Sequence, residues 1–259
     1  MQRKLVIFCG IVSFAISFRV FGAAKKSCAM VGNPVCIEYQ ITPPLFTLAQ
    51  PPVATPDCQA TNAQPTCSLT ATITAGHTLV FISAVTTVST TAPMINSATG
   101  DSFSLCSSRP TALESGQYVA VGCAYILHAT GGVAGTYTFT WATTITPTVF
   151  VEDIWLYDLK WTGSSVSFDT NNSSSTNTGC TTCPAPALPS FTGPDAVLQI
   201  ASNIFTPFTA ISGGYTGSFG GMVSSAAAYL LNVSSYTAPN WTTSTKGAGA
   251  FLAVGFTGH

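Results

Sequence analysis

The chain has 259 residues, of which 46% are hydrophobic and only 7% are charged. Its formal net charge is −1 at pH 7, and the basic residues form no stripe along the sequence. Nucleic acids and anionic membrane surfaces attract proteins through such a stripe, so neither is an expected partner. Hydroxyl and small residues replace the missing charges, which is typical of β-proteins that work outside the cell.

The first 24 residues have the pattern of an export signal. Positions 2–4 give a positive start, positions 5–18 form an apolar run, and positions 22–24 are small residues suited to a signal peptidase. A membrane span needs roughly 20 apolar residues, which is more than this run provides. We predict a signal peptide over 1–24, no membrane span after its removal, and a secreted or cell-surface location. An uncleaved N-terminal anchor is the alternative.

Cysteine usage agrees with export. Of nine cysteines, Cys9 lies in the predicted signal, and the remaining eight form an even set, as expected for disulfides in an oxidising compartment. Their positions group in near pairs, although eight cysteines permit many other connectivities. We predict the disulfides Cys28–Cys36, Cys58–Cys67, Cys106–Cys123 and Cys180–Cys183.

Residues 25–66 differ in composition from the rest of the chain. Prolines at seven positions interrupt every regular pattern, and three cysteines lie among them. We interpret this segment as an extended N-terminal arm, rich in Pro and Cys and stapled by the first two disulfides. A flexible linker is the alternative interpretation.

Strand patterns dominate residues 67–259. In SLTATIT, apolar and Thr residues alternate, which is the period of a half-buried strand. Further strands are predicted in TLVFISAV, QYVAVGCAYILHA, TYTFTWAT, TVFVEDIWLYDLKW, AVLQIASNI, MVSSAAAYLLNVS and GAFLAVGFT. The segment SSAAAYLLNV also suits a helix by propensity, but we favour a strand because of its place in a repeat.

That repeat has a period of roughly a hundred residues, too long for a solenoid of the usual 20–50 residues. The segments ITAGHTLVFIS, AYILHATGGVAGTYTFTW and VFVEDIWLYDL are followed in the same order by FTGPDAVLQIAS, AYLLNVSSYTAPNWTTS and AFLAVGFTG. We predict an all-β fold over 67–259: a two-sheet antiparallel sandwich, jelly-roll-like, with two interleaved halves. Chance similarity between Thr-rich strands is the alternative.

The segments ITAGHTLVFISAV, YVAVGCAYILHATGGVAGTYTFTW and GAGAFLAVGF resemble motifs of exported bacterial β-sandwich proteins of uncharacterised function. Those proteins often accompany immunoglobulin-like or carbohydrate-binding modules. The resemblance covers roughly residues 68–258 and does not include the arm. It implies a jelly-roll or concanavalin-type sandwich and a role at the cell surface, and it supplies no catalytic residue.

The stretch FVEDIWLYDLKW places four charged residues among aromatic ones. As a strand it directs alternate side chains to opposite faces. One face would carry the candidate ligand-binding residues Asp153, Trp155, Tyr157 and Trp161. Aromatic rings can stack on the apolar side of a pyranose while an acid accepts hydroxyl hydrogen bonds. The alternative is that these rings belong to the core and that the charges mark the strand end.

Catalytic and metal-binding motifs are weak in this sequence. Glu152 and Asp153 point to opposite faces of a strand, so they cannot flank one glycosidic bond. Cys180-Thr-Thr-Cys183 lies in a Ser-, Asn- and Pro-rich loop without the helix of a thiol redox centre or the further ligands of a zinc site. The loop 169–172 could offer oxygens to calcium, but one Asp with amides is a weak ligand set, and a solvated loop is the favoured interpretation. We therefore predict no catalytic residue, no metal and no cofactor.

Three functions remain open. The first is an exported, non-catalytic sandwich that binds extracellular glycans or surface proteins. The second is a structural envelope protein that associates with copies of itself. A hydrolase resembling glycoside hydrolases is the third.

Overall fold

The structure is a computed structural model of the chain and describes residues 6–7, 25–29, 35–39, 44–60, 66–88, 92, 94–99, 101–131, 134–142, 150–189, 193–204, 206–219 and 224–259. The chain divides into two units, Met1–Pro44 and Leu45–His259. In the smaller unit, strands β1 (Val6–Ile7), β2 (Lys25–Ala29) and β3 (Val35–Tyr39) form an antiparallel sheet in the order β1-β3-β2. Most of the predicted signal segment lies outside the described residues.

The larger unit consists of antiparallel strands, and the described part of the chain contains no helix. Accordingly, nothing in that part is a helix long and apolar enough to cross a membrane. The strands of the first half are β4 (Phe46–Leu48), β5 (Val53–Ala60), β6 (Thr66–Thr72), β7 (Thr78–Val88), β8 (Met94–Thr99), β9 (Ser104–Leu105), β10 (Thr111–Glu114), β11 (Gln117–Ile126), β12 (Ala134–Ala142) and β13 (Phe150–Trp161). Those of the second half are β14 (Val166–Thr176), β15 (Thr182–Pro184), β16 (Asp195–Asn203), β17 (Phe208–Ile211), β18 (Thr216–Phe219), β19 (Ser224–Val233), β20 (Asn240–Thr243) and β21 (Gly249–Gly258).

Each half forms a large and a small sheet. The first inner sheet has the order β10-β11-β7-β13-β4, with β5 also paired to β13 and β9 to β11, and the first outer sheet is β6-β12-β8. The second inner sheet is β14-β21-β16-β19-β18, and the second outer sheet is β15-β20-β17. The predicted all-β fold of antiparallel sheets is confirmed, and each half of the larger unit forms its own pair of sheets, so this unit has four sheets. The halves are not interleaved, however, because strand pairing among the described residues stays within each half.

Four layers result from the way the sheets pack. Val80 and Ile82 of β7 join Leu198 and Ile200 of β16 in one core between the two inner sheets. The first outer sheet covers the other face of the first inner sheet, where its side chains pack on a second core that includes Phe81. The second outer sheet covers the second inner sheet in the same way. Each inner sheet is therefore buried on both faces.

Burial on both faces explains why apolar and polar residues do not alternate along the central strands. All nine residues of β16 and all ten of β21 are buried. A strand covered on one side alternates apolar and polar residues, whereas one covered on both sides reads as a continuous apolar run. SSAAAYLLNV is strand β19 for a related reason, since it pairs with β16 on one edge and with β18 on the other.

The backbone register confirms the internal repeat. Tyr125 of β11 lies opposite Val80, and Tyr229 of β19 lies opposite Leu198. Both tyrosines follow an alanine and precede two aliphatic residues, so the sequence and the register give the same alignment of the halves. Under this alignment Phe81 corresponds to Gln199, His77 to Asp195 and Asp158 to Gly255. Each half thus provides a structural reference for the other.

The C-terminal part of the predicted arm belongs to the first inner sheet. Strands β4 and β5 both pair with β13. The Asn232 amide fixes β4 to the second half, because its Oδ1 accepts from the Phe46 N–H at 2.6 Å and its Nδ2 donates to the Phe46 carbonyl at 2.9 Å. Two-point bonding of this kind ties the start of the larger unit to the C-terminal end of β19.

Two of the four predicted disulfides are confirmed. Cys106–Cys123 connects the residue after β9 with β11, and Cys180–Cys183 closes a short loop before β15. Cys28 and Cys36 lie directly opposite each other in the register of β2 and β3, as a cross-strand disulfide requires. The pairs Cys28–Cys36 and Cys58–Cys67 stay predictions, since the side chains of these four residues lie outside the described part of the structure.

The core between the inner sheets predicts a large effect of a single truncation. Leu198 is fully buried there, so Leu198→Ala should lower the free energy of unfolding by about 3 kcal/mol, as measured by urea denaturation. Leu113→Ala is the control, because Leu113 is 38% exposed and its truncation should change stability by less than about 0.5 kcal/mol. Equal effects of the two substitutions would contradict the four-layer packing.

Candidate functional site

The predicted ligand face of β13 is not a surface. Trp155 is 2% exposed and Tyr157 is fully buried, and both pack in the core between the two inner sheets. A ring that stacks on a sugar must present one face to solvent. The alternative stated for these rings, that they belong to the core, therefore accounts for their positions.

Asp153 is also buried and contacts the other half of the chain. The Ser225 hydroxyl of β19 donates a hydrogen bond to Asp153 Oδ2. A buried carboxylate is costly unless it accepts hydrogen bonds, so this contact favours one arrangement of the inner sheets. Asp153 thus lies on the same buried face of β13 as Trp155 and Tyr157 and bonds across the interior to the second half.

Trp161 is the one predicted site residue that is partly exposed. Its indole N–H donates to the His259 carbonyl at 2.9 Å, and its ring packs against Phe46 with centroids 4.7 Å apart. Eight residues of strand separate it from Asp153, or about 26 Å. The structure does not assemble the four predicted residues into one site.

Asp158, another acid of the stretch, forms a polar cluster that sequence reasoning missed. Asp158 is 2% exposed; its Oδ1 lies 2.7 Å from His77 Nδ1, and its Oδ2 accepts from Gln50 Nε2 at 3.0 Å. These partners are 81 and 108 residues away in sequence, so no local spacing reveals them. The charges in FVEDIWLYDLKW therefore include two buried acids with specific partners.

A cavity lies in the second half of the larger unit, at one end of its sheets. Its volume is about 220 Å³. It opens between the segment that joins β17 to β18 and the segment that joins β19 to β20. The residues that line it are Ser212, Gly213, Tyr215, Leu230, Val233, Ser235, Tyr236, Thr237, Ala238 and Pro239. We call it the tyrosine pocket.

A buried amide joins the two tyrosines of this pocket. Gln199 of β16 is fully buried; its Nε2 donates to Tyr236 Oη at 3.0 Å and lies 3.5 Å from Tyr215 Oη. Tyr236 Oη in turn donates to the Pro186 carbonyl at 2.7 Å. Gln199 Oε1 is buried and has no hydrogen-bond partner among the described residues. Such an unused buried acceptor is costly, and a functional role is one explanation for it.

Comparison of the halves shows that the amide is a departure from the repeat. The position of Gln199 is held in the first half by Phe81, which packs against Phe103 at 4.9 Å and Tyr137 at 5.0 Å between ring centroids. The first half therefore fills with aromatic rings the space that the second half leaves partly open. The signal was present in the sequence, as a Gln within the apolar strand AVLQIAS aligned with TLVFIS.

The pocket presents hydroxyl groups that stay neutral. Burial raises the pKa of Tyr236 to about 12 and raises the pKa of Tyr215 further. Both phenols therefore keep their protons across the physiological range. No Asp, Glu, Lys or Arg is among the lining residues, so the arrangement suits a neutral ligand with hydroxyl groups.

Substitution of Gln199 tests whether the amide is needed for folding. We expect Gln199→Leu to change the free energy of unfolding by less than about 1 kcal/mol, because the lost bonds are offset by removal of an unsatisfied acceptor. The matched control is Phe81→Gln, which should cost about 4 kcal/mol by opening a filled core in the first half. Urea denaturation measures both. A loss beyond about 2 kcal/mol for Gln199→Leu would make the amide structural.

Comparisons with known proteins identify no relative of the chain. No protein-family model, no curated protein and no solved structure matches it. The two halves of the larger unit are therefore compared with each other.

Proposed function

We propose that the protein is an exported, non-catalytic β-sandwich that binds a glycan, and that the tyrosine pocket is its binding site. The observation that carries the proposal is Gln199, a buried amide with an unused acceptor, at a position where the first half has a core phenylalanine. Tyr215 and Tyr236 line the pocket, where their hydroxyls offer hydrogen-bonding groups and their rings offer apolar faces, and the buried Gln199 amide bonds to both hydroxyls. A sugar ring needs both kinds of contact.

The size of the pocket limits the ligand. Sites for drug-sized molecules measure about 300–1,000 Å³, whereas this cavity measures about 220 Å³. It therefore suits one sugar ring, such as the terminal residue of a chain. Because carboxylates are absent from its lining, the acid and nucleophile of a glycosidase have no counterpart there. This supports binding over hydrolysis.

Export is part of the proposal. The disulfides Cys106–Cys123 and Cys180–Cys183 require an oxidising compartment to form and persist. Together with the N-terminal signal pattern, they support a secreted or cell-surface location, where glycans are abundant ligands.

Glycan binding is tested with the full chain on an array of neutral monosaccharides and oligosaccharides, followed by titration calorimetry of each hit. We expect Tyr236→Phe and Gln199→Leu each to weaken binding at least about tenfold, because the first removes a hydroxyl from the lining and the second removes the amide that orients both tyrosine hydroxyls. Tyr229→Phe is the matched control and should bind normally, since Tyr229 packs against Tyr157 in the core between the inner sheets.

Two results would overturn the proposal. One is a glycan that binds all three variants equally well, which would place its site elsewhere. The other is a chain that binds no glycan and sediments as large assemblies, which would favour the structural envelope alternative.

A further inference from the structure

The hydrogen bonds behind the tyrosine pocket have a fixed direction. Pro186 is buried, and its carbonyl can only accept, so the Tyr236 hydroxyl donates to it across 2.7 Å. With that proton committed, Tyr236 Oη accepts from Gln199 Nε2 at 3.0 Å. This bond fixes the orientation of the Gln199 amide, because the opposite orientation would place the acceptor Oε1 against the Tyr236 oxygen.

The orientation of the amide determines what the second tyrosine can do. Gln199 Nε2 also lies 3.5 Å from Tyr215 Oη, so the amide presents N–H groups to both phenols. Gln199 Oε1 has no hydrogen-bond partner in the part of the chain that the structure describes, so it does not accept from Tyr215. No other described residue accepts the Tyr215 proton either. Because Tyr215 lines the pocket, its O–H group is left to donate to a ligand there.

The other residues of the lining suit a small group with an apolar end. Leu230, Val233 and Pro239 provide aliphatic carbon atoms, and the exposed Ser235 provides a hydroxyl that can accept from a ligand N–H. An acetamido group contains the matching parts: a carbonyl that only accepts, an N–H that only donates, and a methyl group. The lining therefore complements this group more fully than it complements a hydroxyl.

We propose that the sugar bound in the tyrosine pocket carries an acetamido group, and that the Tyr215 hydroxyl donates to its carbonyl oxygen. The inference rests on the proposed function and narrows the ligand to glycans with N-acetylated sugars. A sugar hydroxyl that accepts from Tyr215 must also find an acceptor for its own proton, whereas a carbonyl has no proton to place. An ammonium group is excluded because it only donates, and the lining contains no carboxylate.

Calorimetric titration of the full chain with matched monosaccharides tests the acetamido group. N-acetylglucosamine, glucose and glucosamine share one ring and differ only at C2, and the three corresponding galacto sugars form a second series. We expect the acetamido sugar of one series to bind at least about tenfold more tightly than the plain sugar. The amino sugar should bind more weakly than the plain sugar at about pH 6, where its amine is charged. This comparison needs no variant, so it does not depend on how a substituted chain folds.

Tyr215→Phe tests whether the preference comes from the hydroxyl. This variant keeps the ring but has no proton to donate, so it should bind the acetamido sugar and the plain sugar with equal affinity. Tyr118→Phe is the matched control and should keep the preference of the wild type. Tyr118 is also half-buried, but it belongs to β11 of the first half and does not line the pocket.

The possible outcomes separate this inference from the proposed function. A wild type that binds acetamido and plain sugars equally, with binding weakened by Tyr236→Phe, overturns the inference and leaves the glycan-binding proposal standing. A preference that survives in Tyr215→Phe also overturns it, because the carbonyl would then have a different donor. A chain that binds none of these sugars and no glycan on the array overturns both proposals.

Discussion

The contact between the two inner sheets is the constraint on which the rest of the molecule depends. One apolar core is shared by the two halves, and it contains Val80, Ile82, Leu198 and Ile200. Since each inner sheet also carries an outer sheet, its strands have no solvent face on which polar residues could alternate. The low charge of the sequence follows from this layering together with a hydroxyl-rich surface.

The two halves have corresponding strands, but they differ in the side chains at several corresponding positions. Phe81 packs among aromatic rings, whereas Gln199 at the same place bonds to two phenols. Asp158 contacts His77 and Gln50 in the first half, whereas Gly255 stands at the corresponding position of the second half. The first half thus has its buried polar cluster at Asp158, and the second half has a buried amide at Gln199 beside the tyrosine pocket. Two halves with corresponding strands allow this difference, because one half can keep a filled apolar core while the other half contains buried polar groups that lower the stability of the protein.

Much of the fold could be predicted from the sequence, because strand periodicity and turn residues are local signals. The repeat, the strand assignment of SSAAAYLLNV and two disulfides were predicted in this way and are confirmed. The separation into two halves, each with its own two sheets, was not predicted, since continuous apolar runs such as β16 do not tell which sheets cover them. The aromatic and acidic face of β13 was interpreted as a ligand surface, but the same alternation also describes a core strand. Only tertiary packing distinguishes the two, and it brings Trp155 and Tyr157 into the interior. The partners of Asp158, which are Gln50 and His77, come from remote segments and left no local signal.

The short connection between the two halves affects how the chain folds during its synthesis. Only residues 162–165 separate β13 from β14. When the ribosome has delivered the first half, the apolar face of its inner sheet has no cover until the second half emerges. An intermediate with a large exposed apolar surface would thus form during translation, and chaperones protect species of this kind. A secretion route that keeps the chain extended until all of it has crossed the membrane would avoid that exposure, and the shortness of the connection then ensures that the two halves meet promptly.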